Sequence, residues 1–286
     1  MKRLIVIVCM LVLSNVTLVQ GETKLEDIAF VAKYDGSTER YILRLPDGFD
    51  SGEKHHMLIA LHGHGSDRWQ FAADGRDEAR ACRDVAKKHD MIYVCPDYRA
   101  KTSWMGPAAE ADVVQIIAEL KSKYKIGKVI ISGASMGGAS CLTFAAMHPE
   151  LVDGVASMNG TANHFEYELF QDAIQASFGG TKAKIPLEYK NRSAEYWPER
   201  FTMRVGFVAC GKDELVPPQS VLRLANVLKK LEREVLLIYR EDMGHFTNYE
   251  DAKAILEFAV NLPNASDKTE AVSPTSHIGA GQQGQQ

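Results

Sequence analysis

Short apolar runs recur along this chain and alternate with stretches in which apolar residues lie three and four positions apart. Continuous apolar runs indicate buried strands, and the second spacing indicates amphipathic helices. The predicted strands cover residues 28–34, 39–45, 57–61, 91–95, 129–132, 152–158, 203–210 and 234–239. The predicted helices cover residues 79–88, 108–124, 139–147, 218–232 and 248–261. This alternation predicts an α/β fold with a mostly parallel central sheet, helices on both faces and antiparallel pairing at the start.

One long insertion, residues 161–201, interrupts the alternation between two predicted strands. Its aromatic residues are Phe165, Tyr167, Phe170, Phe178, Tyr189, Tyr196, Trp197 and Phe201. Long segments over an active site often form a cap that binds substrate. The alternative is that these aromatic residues pack the insertion onto the core. Both interpretations stay open at this stage.

The two ends of the chain differ from the part between them. Residues 1–21 have a charged start, a short apolar core and a small residue before Glu22, which is the pattern of a cleaved secretory signal. The alternative for this segment is an uncleaved N-terminal anchor. Residues 264–286 are rich in Ser, Thr, Gly and Gln, so we predict that they are disordered. Residues 22–263 are the predicted folded domain of a secreted or periplasmic protein.

Composition narrows the class of protein. The 286 residues are 45% hydrophobic, which suffices for a sizeable core. The formal net charge of -4 argues against a nucleic-acid partner. Cys82, Cys95, Cys141 and Cys210 follow the predicted signal, and an exported protein permits disulfides. Their positions in apolar segments favour buried free thiols. If a bridge forms, Cys82–Cys95 is the most plausible pair.

Ser135 is the candidate nucleophile. It is the central residue of Gly133-Ala134-Ser135-Met136-Gly137, between a predicted strand and a helix-compatible run. A G-x-S-x-G motif in this context forms a strained turn that lifts the serine hydroxyl above the sheet edge, and its glycines permit close backbone approach. The free N–H groups of the following helix favour developing negative charge there.

An acid and a histidine follow in the order that the chemistry requires. Asp213 lies in Gly211-Lys-Asp213-Glu-Leu-Val-Pro-Pro218 after one predicted strand, and His245 lies after the next. A histidine can remove the serine proton, and a buried carboxylate fixes the tautomer of that histidine. Glu214 is the alternative acid, but the G-x-D spacing favours Asp213. Glu241 and Asp242 are too near His245 in sequence, and the amide of Asn159 lacks the required charge.

Two backbone amides are predicted to hold the oxyanion. The strand of residues 57–61 runs into His62-Gly63-His64-Gly65-Ser66-Asp67. In a nucleophile-elbow fold, this loop donates one N–H group and the residue after the nucleophile donates the other. The predicted donors are therefore His64 and Met136.

These motifs together resemble the α/β-hydrolase superfamily over residues 28–262. The chain is most similar to secreted esterases of the polyhydroxyalkanoate-depolymerase and feruloyl-esterase-like group and of the carboxylesterase and phospholipase group. Ser-Met-Gly-Gly at 135–138, the acid loop at 211–217 and Gly244-His245 carry this resemblance. Prolyl-oligopeptidase-type peptidases share the same strings, so the motifs leave the substrate open.

Other chemical residues have competing interpretations. His62 and His64 with Asp67 could bind a metal, but the chain has no H-x-x-E-H or H-E-x-x-H motif. We therefore predict no metal site and a structural hydrogen-bonding role for His62. Trp104 and Trp197 are weak candidates for substrate contacts. The alternative for Trp104 is that it anchors its loop.

The expectation from the sequence is a secreted serine hydrolase that cleaves a small or polymeric carboxylic ester without a cofactor. Membrane insertion after signal cleavage is not expected, and the oligomeric state is left open. The alternatives are a prolyl-oligopeptidase-type peptidase, an acyltransferase and a non-catalytic binding protein on the same fold. An intact triad and oxyanion loop argue against the last of these.

Overall fold

A computed structural model describes residues 24–261 of the chain. The predicted signal, residues 1–21, and the predicted disordered tail, residues 264–286, lie outside the described residues. Within residues 24–261, no helix is long and apolar enough to cross a membrane.

The described residues alternate strands with helices, as the apolar pattern predicts. The strands are β1 (Glu26–Val31), β2 (Thr38–Arg44), β3 (His55–Leu61), β4 (Ile92–Pro96), β5 (Ile126–Ala134), β6 (Gly154–Met158), β7 (Arg204–Cys210) and β8 (Val235–Arg240). The helices are α1 (Trp69–Ala73), α2 (Asp77–Lys88), α3 (Pro107–Lys123), α4 (Met136–Met147), α5 (Gln171–Phe178), α6 (Pro186–Asn191), α7 (Gln219–Lys230) and α8 (Tyr249–Val260). Helix α1 is too short to show a helical period, which explains why the sequence does not predict it.

All the strands join one sheet in the order β1-β2-β4-β3-β5-β6-β7-β8. β1 pairs antiparallel with β2, and β2 pairs antiparallel with β4. Every other neighbouring pair is parallel. The predicted mostly parallel sheet with antiparallel pairing at the start is therefore confirmed. Because the carboxyl ends of parallel strands meet at one edge, the loops after β3, β5, β7 and β8 converge there.

Apolar side chains divide between the two faces of the sheet. In β3, Leu58 and Ala60 contact one cluster, and Met57, Ile59 and Leu61 contact the other. Successive side chains of a strand point to opposite faces of the sheet, so this alternation means that β3 is buried on both faces. Helices α1, α2 and α8 cover the first face, and helices α3, α4 and α7 cover the second. We call these the α2 face and the α4 face.

The insertion of residues 161–201 packs mainly against the α4 face. Tyr167, Phe178, Tyr189 and Phe201 are buried in its apolar cluster, and Phe165 and Trp197 pack at the edge of that cluster. Tyr196 and Phe170 remain exposed. Packing onto the core therefore accounts for most of the aromatic residues, and Phe170 is the aromatic residue of the insertion that reaches the catalytic edge of the sheet.

A buried arginine fixes this insertion to its neighbours. The Arg192 guanidinium donates to the Glu110 carboxylate on α3 at 2.7 Å, to the Met105 carbonyl at 2.6 Å and to Glu188 at 2.6 Å. His148, at the end of α4, lies 2.7 Å from the other Glu110 oxygen. Arg192 is almost fully buried, so these bonds compensate a charge that is removed from water.

The four cysteines after the predicted signal are free and buried. This agrees with their prediction as buried thiols, and Cys82 and Cys95 do not form the one bridge that the sequence left open. Burial raises the pKa of the thiols of Cys95 and Cys141 to about 12, so both are protonated at neutral pH.

Candidate active site

Ser135 occupies a tight turn at the carboxyl end of β5. Its φ of 58° and ψ of -120° lie outside the regions that most side chains adopt, and α4 begins at the next residue. The Ser135 amide donates to the Met158 carbonyl on the neighbouring strand at 2.8 Å. A Cβ atom on Gly137 would collide with the backbone carbonyls of Leu61 and His62. The second glycine of the motif therefore permits the close approach that holds the turn.

His245 and Asp213 form a hydrogen-bonded pair beside this turn. The His245 Nδ1 atom lies 2.6 Å from Asp213 Oδ2. The other carboxylate oxygen of Asp213 accepts bonds from the backbone amides of Leu215 and Val216 at 3.0 and 2.8 Å. The Asp213 side chain is 1% exposed, so its charge is buried and fully engaged. This geometry fixes the orientation of the imidazole.

The alternative acids lie elsewhere. Glu214 is exposed beside Asp213, and Glu241 and Asp242 are exposed on the loop before His245. The Asp242 carboxylate pairs with Lys212 at 2.8 Å on the surface. Among the candidate acids in the described chain, Asp213 is the one that contacts the His245 ring.

A cavity of about 510 Å³ opens at the carboxyl edge of the sheet and brings Ser135 and His245 together. The loop of residues 63–66 after β3 forms one wall. Further lining residues come from helices α1 and α2, the insertion, and the loops after β6, β7 and β8: Gln70, Arg76, Glu78, Asn159, Phe170, Leu215, Phe246 and Thr247. The candidate nucleophile and candidate base therefore face one enclosed space large enough for a small substrate.

Both predicted oxyanion donors lie beside this cavity. Met136 is the first residue of α4, so its N–H group has no acceptor within the helix. In the loop after β3, the Gly63 amide donates to the Gln70 side chain at 2.8 Å, and the Gly65 amide donates to the Lys101 carbonyl at 2.9 Å. The His64 amide lies between these two and donates to no acceptor among residues 24–261.

The two histidines of this loop have separate structural contacts. The His62 ring is buried, with Nδ1 2.9 Å from the Gly63 carbonyl oxygen and Nε2 3.0 Å from the Asp97 carbonyl oxygen. The Trp104 indole donates to His64 Nδ1 at 3.2 Å. Burial lowers the pKa of both imidazoles, which favours their neutral forms. Residues 24–261 hold no cluster of three or more His, Cys, Asp or Glu side chains arranged for a metal ion.

The two tryptophans suggested as substrate contacts lie away from the cavity lining. Trp104 is fully buried and stacks on His64, Tyr167 and Phe170, so it supports the loop from below. The Trp197 indole donates to the Lys190 carbonyl, and the Arg200 guanidinium lies over its ring at 4.1 Å. The structure thus corrects both suggestions. A tryptophan in a loop carries no sequence signal that separates support from contact.

Several lining residues carry no motif and were not predicted. Phe170 adopts a left-handed backbone conformation, and its ring lies 4.4 Å from the ring of His64. Glu78 belongs to the first turn of α2, where acidic residues are common for electrostatic reasons. Thr247 lies two residues after His245. Only the position of Thr247 in the histidine loop could have signalled its closeness to the site.

A parallel sheet with a serine elbow at its central strand and an acid–histidine pair on the next loops defines an α/β hydrolase architecture. A family model described as alpha/beta hydrolase fold matches residues 74–206 of this chain. The chain has the α/β-hydrolase fold, as its motifs predict.

Solved structures share this fold at low sequence identity. A fluorophosphonate-binding serine hydrolase from Staphylococcus aureus, FphF, is 15% identical with a TM-score of 0.65, over 84% of this chain and 99% of its own. A ferulic acid esterase is 16% identical with a TM-score of 0.62, over 83% of this chain and 98% of its own.

A Bacteroides ovatus structure assigned to dipeptidyl aminopeptidase IV is 17% identical with a TM-score of 0.64 over 82% of this chain. This chain spans 34% of the length of that protein, which is about a third. No curated protein sequence matches the chain. Esterases and peptidases both share the fold, so the fold alone does not select the bond that is cleaved.

Proposed function

We propose that this protein is a serine hydrolase that cleaves carboxylic esters through an acyl-enzyme. The observation that carries the proposal is the placement of Ser135 on a strained turn, in the same cavity as a histidine that is bonded to a buried carboxylate. A serine hydroxyl becomes an effective nucleophile when an adjacent base, held in a fixed orientation by a third group, can accept its proton.

The reaction uses groups of this chain throughout. Ser135 Oγ attacks the ester carbonyl while the His245 Nε2 atom, free because Nδ1 faces Asp213, accepts the serine proton. The amides of His64 and Met136 donate to the oxyanion, and such preorganised donors commonly supply about 3–4 kcal/mol each. His245 then protonates the departing alcohol. A water molecule, deprotonated by His245, releases the acid and restores Ser135.

Substitution of the nucleophile tests this proposal. Ser135→Ala should abolish hydrolysis of p-nitrophenyl acetate and labelling by a fluorophosphonate probe, because both reactions need the serine oxygen. The melting temperature should stay near that of the wild type. Labelling that persists in Ser135→Ala, or wild-type protein that neither labels nor hydrolyses esters, would contradict the proposal.

A peptidase is the second candidate, because a Bacteroides ovatus structure assigned to a peptidase shares the fold. Rates on p-nitrophenyl esters and on aminoacyl p-nitroanilides distinguish the two. We expect cleavage of the esters and no measurable cleavage of the anilides, because p-nitrophenolate departs unaided whereas p-nitroaniline must be protonated as it leaves. Comparable rates on anilides would favour the peptidase.

We also propose that the protein is exported. The charged start and short apolar core of residues 1–21 support this proposal. Mass spectrometry of protein recovered from the expressing cells should give a chain that begins at Glu22. A chain that retains residue 1 would contradict signal cleavage.

A further inference from the structure

The cavity around Ser135 has two sides of different chemistry. Phe170 and Leu215 belong to segments that pack on the α4 face, and both are exposed apolar residues at the rim. The opposite side comes from α1, α2 and the loop before α8, together with the end of β6. We call it the polar side, and its residues are Gln70, Arg76, Glu78, Asn159 and Thr247.

Four oxygen-bearing side chains on the polar side are almost completely buried: Gln70, whose Oε1 accepts from the Gly63 amide, Glu78, Asn159 and Thr247. Glu78 is 9% exposed, Asn159 is 6% exposed and Thr247 is 4% exposed. Asn159 Oδ1 and Thr247 Oγ1 have no hydrogen-bond partner within the described part of the chain. Buried polar atoms without partners cost free energy, and both atoms belong to residues that line the cavity, so a ligand group that reached them would be stabilised.

The charged groups on this side stand next to each other. The Arg76 guanidinium bonds to Asp74 at 2.8 and 3.0 Å, and its Nε atom lies 3.9 Å from a Glu78 carboxylate oxygen. The Glu78 carboxylate is therefore near a cation without being hydrogen-bonded to it. Burial raises the pKa of Glu78, which means that its surroundings solvate the charge poorly.

An uncharged ligand group with hydroxyls fits this arrangement. A hydroxyl can donate to Glu78 or Asn159 and accept from Arg76, because it is both a donor and an acceptor. A cationic group in the same space would lie against the Arg76 guanidinium, and an aliphatic group would leave the buried oxygens without partners. Hydroxyls therefore satisfy the whole polar side with no additional buried charge.

We propose that the polar side is a subsite for a hydroxyl-bearing part of the substrate, with Glu78 and Thr247 as specificity-determining residues. The subsite rests on the proposed ester hydrolase function. The apolar rim at Phe170 and Leu215 then receives the other part of the same ester. The substrate is an ester with one hydroxylated side and one apolar side.

Two matched ester series test the subsite on both sides of the scissile bond. The acyl series is p-nitrophenyl hexanoate, 6-hydroxyhexanoate and 6-aminohexanoate. The alcohol series is propyl, glyceryl and 3-aminopropyl butyrate. Hydrolysis of these esters is measured by titration of the butyric acid that is released. In one series, wild-type protein should show a higher kcat/KM for the hydroxylated ester than for the alkyl ester.

Glu78→Met removes the acceptor at similar side-chain size and should lower this hydroxyl-to-alkyl ratio by about ten-fold, the effect of one hydrogen bond to a charged group. Thr247→Val removes only the hydroxyl and should lower the ratio by about five-fold. If Glu78→Met does not fold, the Thr247→Val variant still tests the subsite. Asp84→Asn changes an exposed carboxylate on the same helix and should leave the ratio at the wild-type value.

Failure of this subsite is distinct from failure of the proposed function. A wild-type protein that labels with fluorophosphonate, but whose ratio is unaffected by both substitutions, would overturn the subsite and leave the hydrolase. A Glu78-dependent preference for the amino esters would also overturn it, because the subsite would then recognise a cation. Absence of labelling in the wild type would overturn the hydrolase itself.

Discussion

The sheet framework consists of the sheet of strands β1 to β8 with helices α1 to α4, α7 and α8. This framework and the insertion of residues 161–201 are stabilised by different interactions. In the framework, apolar side chains fill both faces of the sheet, and glycines let backbones touch around the serine turn. The insertion adds buried aromatic residues, but its position also depends on charged groups such as Arg192. The framework therefore depends on apolar packing, and the position of the insertion depends on buried ionic contacts as well.

This difference predicts that the chemistry fails through the framework, whereas the insertion affects selectivity for the apolar part of the substrate. Asp213, His245 and Ser135 all lie on loops that follow framework strands. The insertion contributes Phe170 to the cavity wall. Substitutions in the two regions should therefore have effects of different kinds as well as different sizes.

The largest expected effect is at the acid of the framework. Asp213→Asn should lower kcat on p-nitrophenyl acetate by about 10⁴, because an amide holds His245 in the wrong tautomer. Glu214→Gln, at the exposed neighbouring carboxylate, is the matched control and should leave kcat nearly unchanged. If Glu214→Gln caused the greater loss, the acid would have been assigned to the wrong residue of this loop.

The next effect is on stability, at the anchor of the insertion. Arg192→Met should lower the free energy of unfolding by about 3–5 kcal/mol, since it removes the buried guanidinium that pairs with the mostly buried Glu110 carboxylate. Arg223→Met is the control, because Arg223 pairs with Glu166 and Glu195 at the surface and should contribute at most about 1 kcal/mol. Urea unfolding measures both. Equal losses would mean that burial of Arg192 does not set its contribution.

The sequence predicts the framework well because its signals are local. The apolar runs show where the strands lie along the chain. The serine motif is recognisable because a side chain at Gly137 would collide with neighbouring backbone, so the turn requires glycine there. The predicted helix at 139–147 begins at Met136 in the structure, and the predicted strand at 152–158 begins at Gly154. The difference at the helix arises because glycines such as Gly137 and Gly138 are poor helix formers, although the serine turn starts the helix there.

The contacts that the sequence does not predict join residues far apart in the chain. Arg192 meets Glu110 across 82 positions, and no spacing rule connects them. Asp112 on α3 is buried against Arg99 at 2.5 Å, and no motif marks this pair. The lining of the cavity around Ser135 could not be predicted for the same reason, because Phe170 and Glu78 come together only in the folded chain.

Selectivity should respond to the aromatic residue that reaches the cavity. Phe170→Ala should raise KM for p-nitrophenyl octanoate relative to the acetate by about five-fold, the effect of losing roughly 40 Å² of apolar contact. Trp197→Ala is the control within the insertion and should leave this preference unchanged, because Trp197 lies outside the cavity lining. A change in chain-length preference in Trp197→Ala, with none in Phe170→Ala, would reverse this assignment.

The smallest expected effect is a pH dependence of stability at the junction of the insertion. The hydrogen bond to Glu110 raises the pKa of His148, and Glu150 and the Phe144 ring are its other close neighbours. A raised pKa in the folded state means that protonated His148 stabilises the fold. This contribution is complete below the unfolded-state pKa of about 6.5 and is lost as the pH rises through the higher folded-state pKa.

Urea unfolding at pH 6 and pH 8 isolates this contribution when it is compared between the wild type and His148→Asn. The free energy of unfolding of the wild type should fall between the two pH values by about 0.5–1 kcal/mol more than that of the variant, which lacks the titrating group. Arg192 also binds Glu110, so the carboxylate keeps one cation at high pH and the loss stays small. A variant that shows the same pH dependence as the wild type would place the titration at another group.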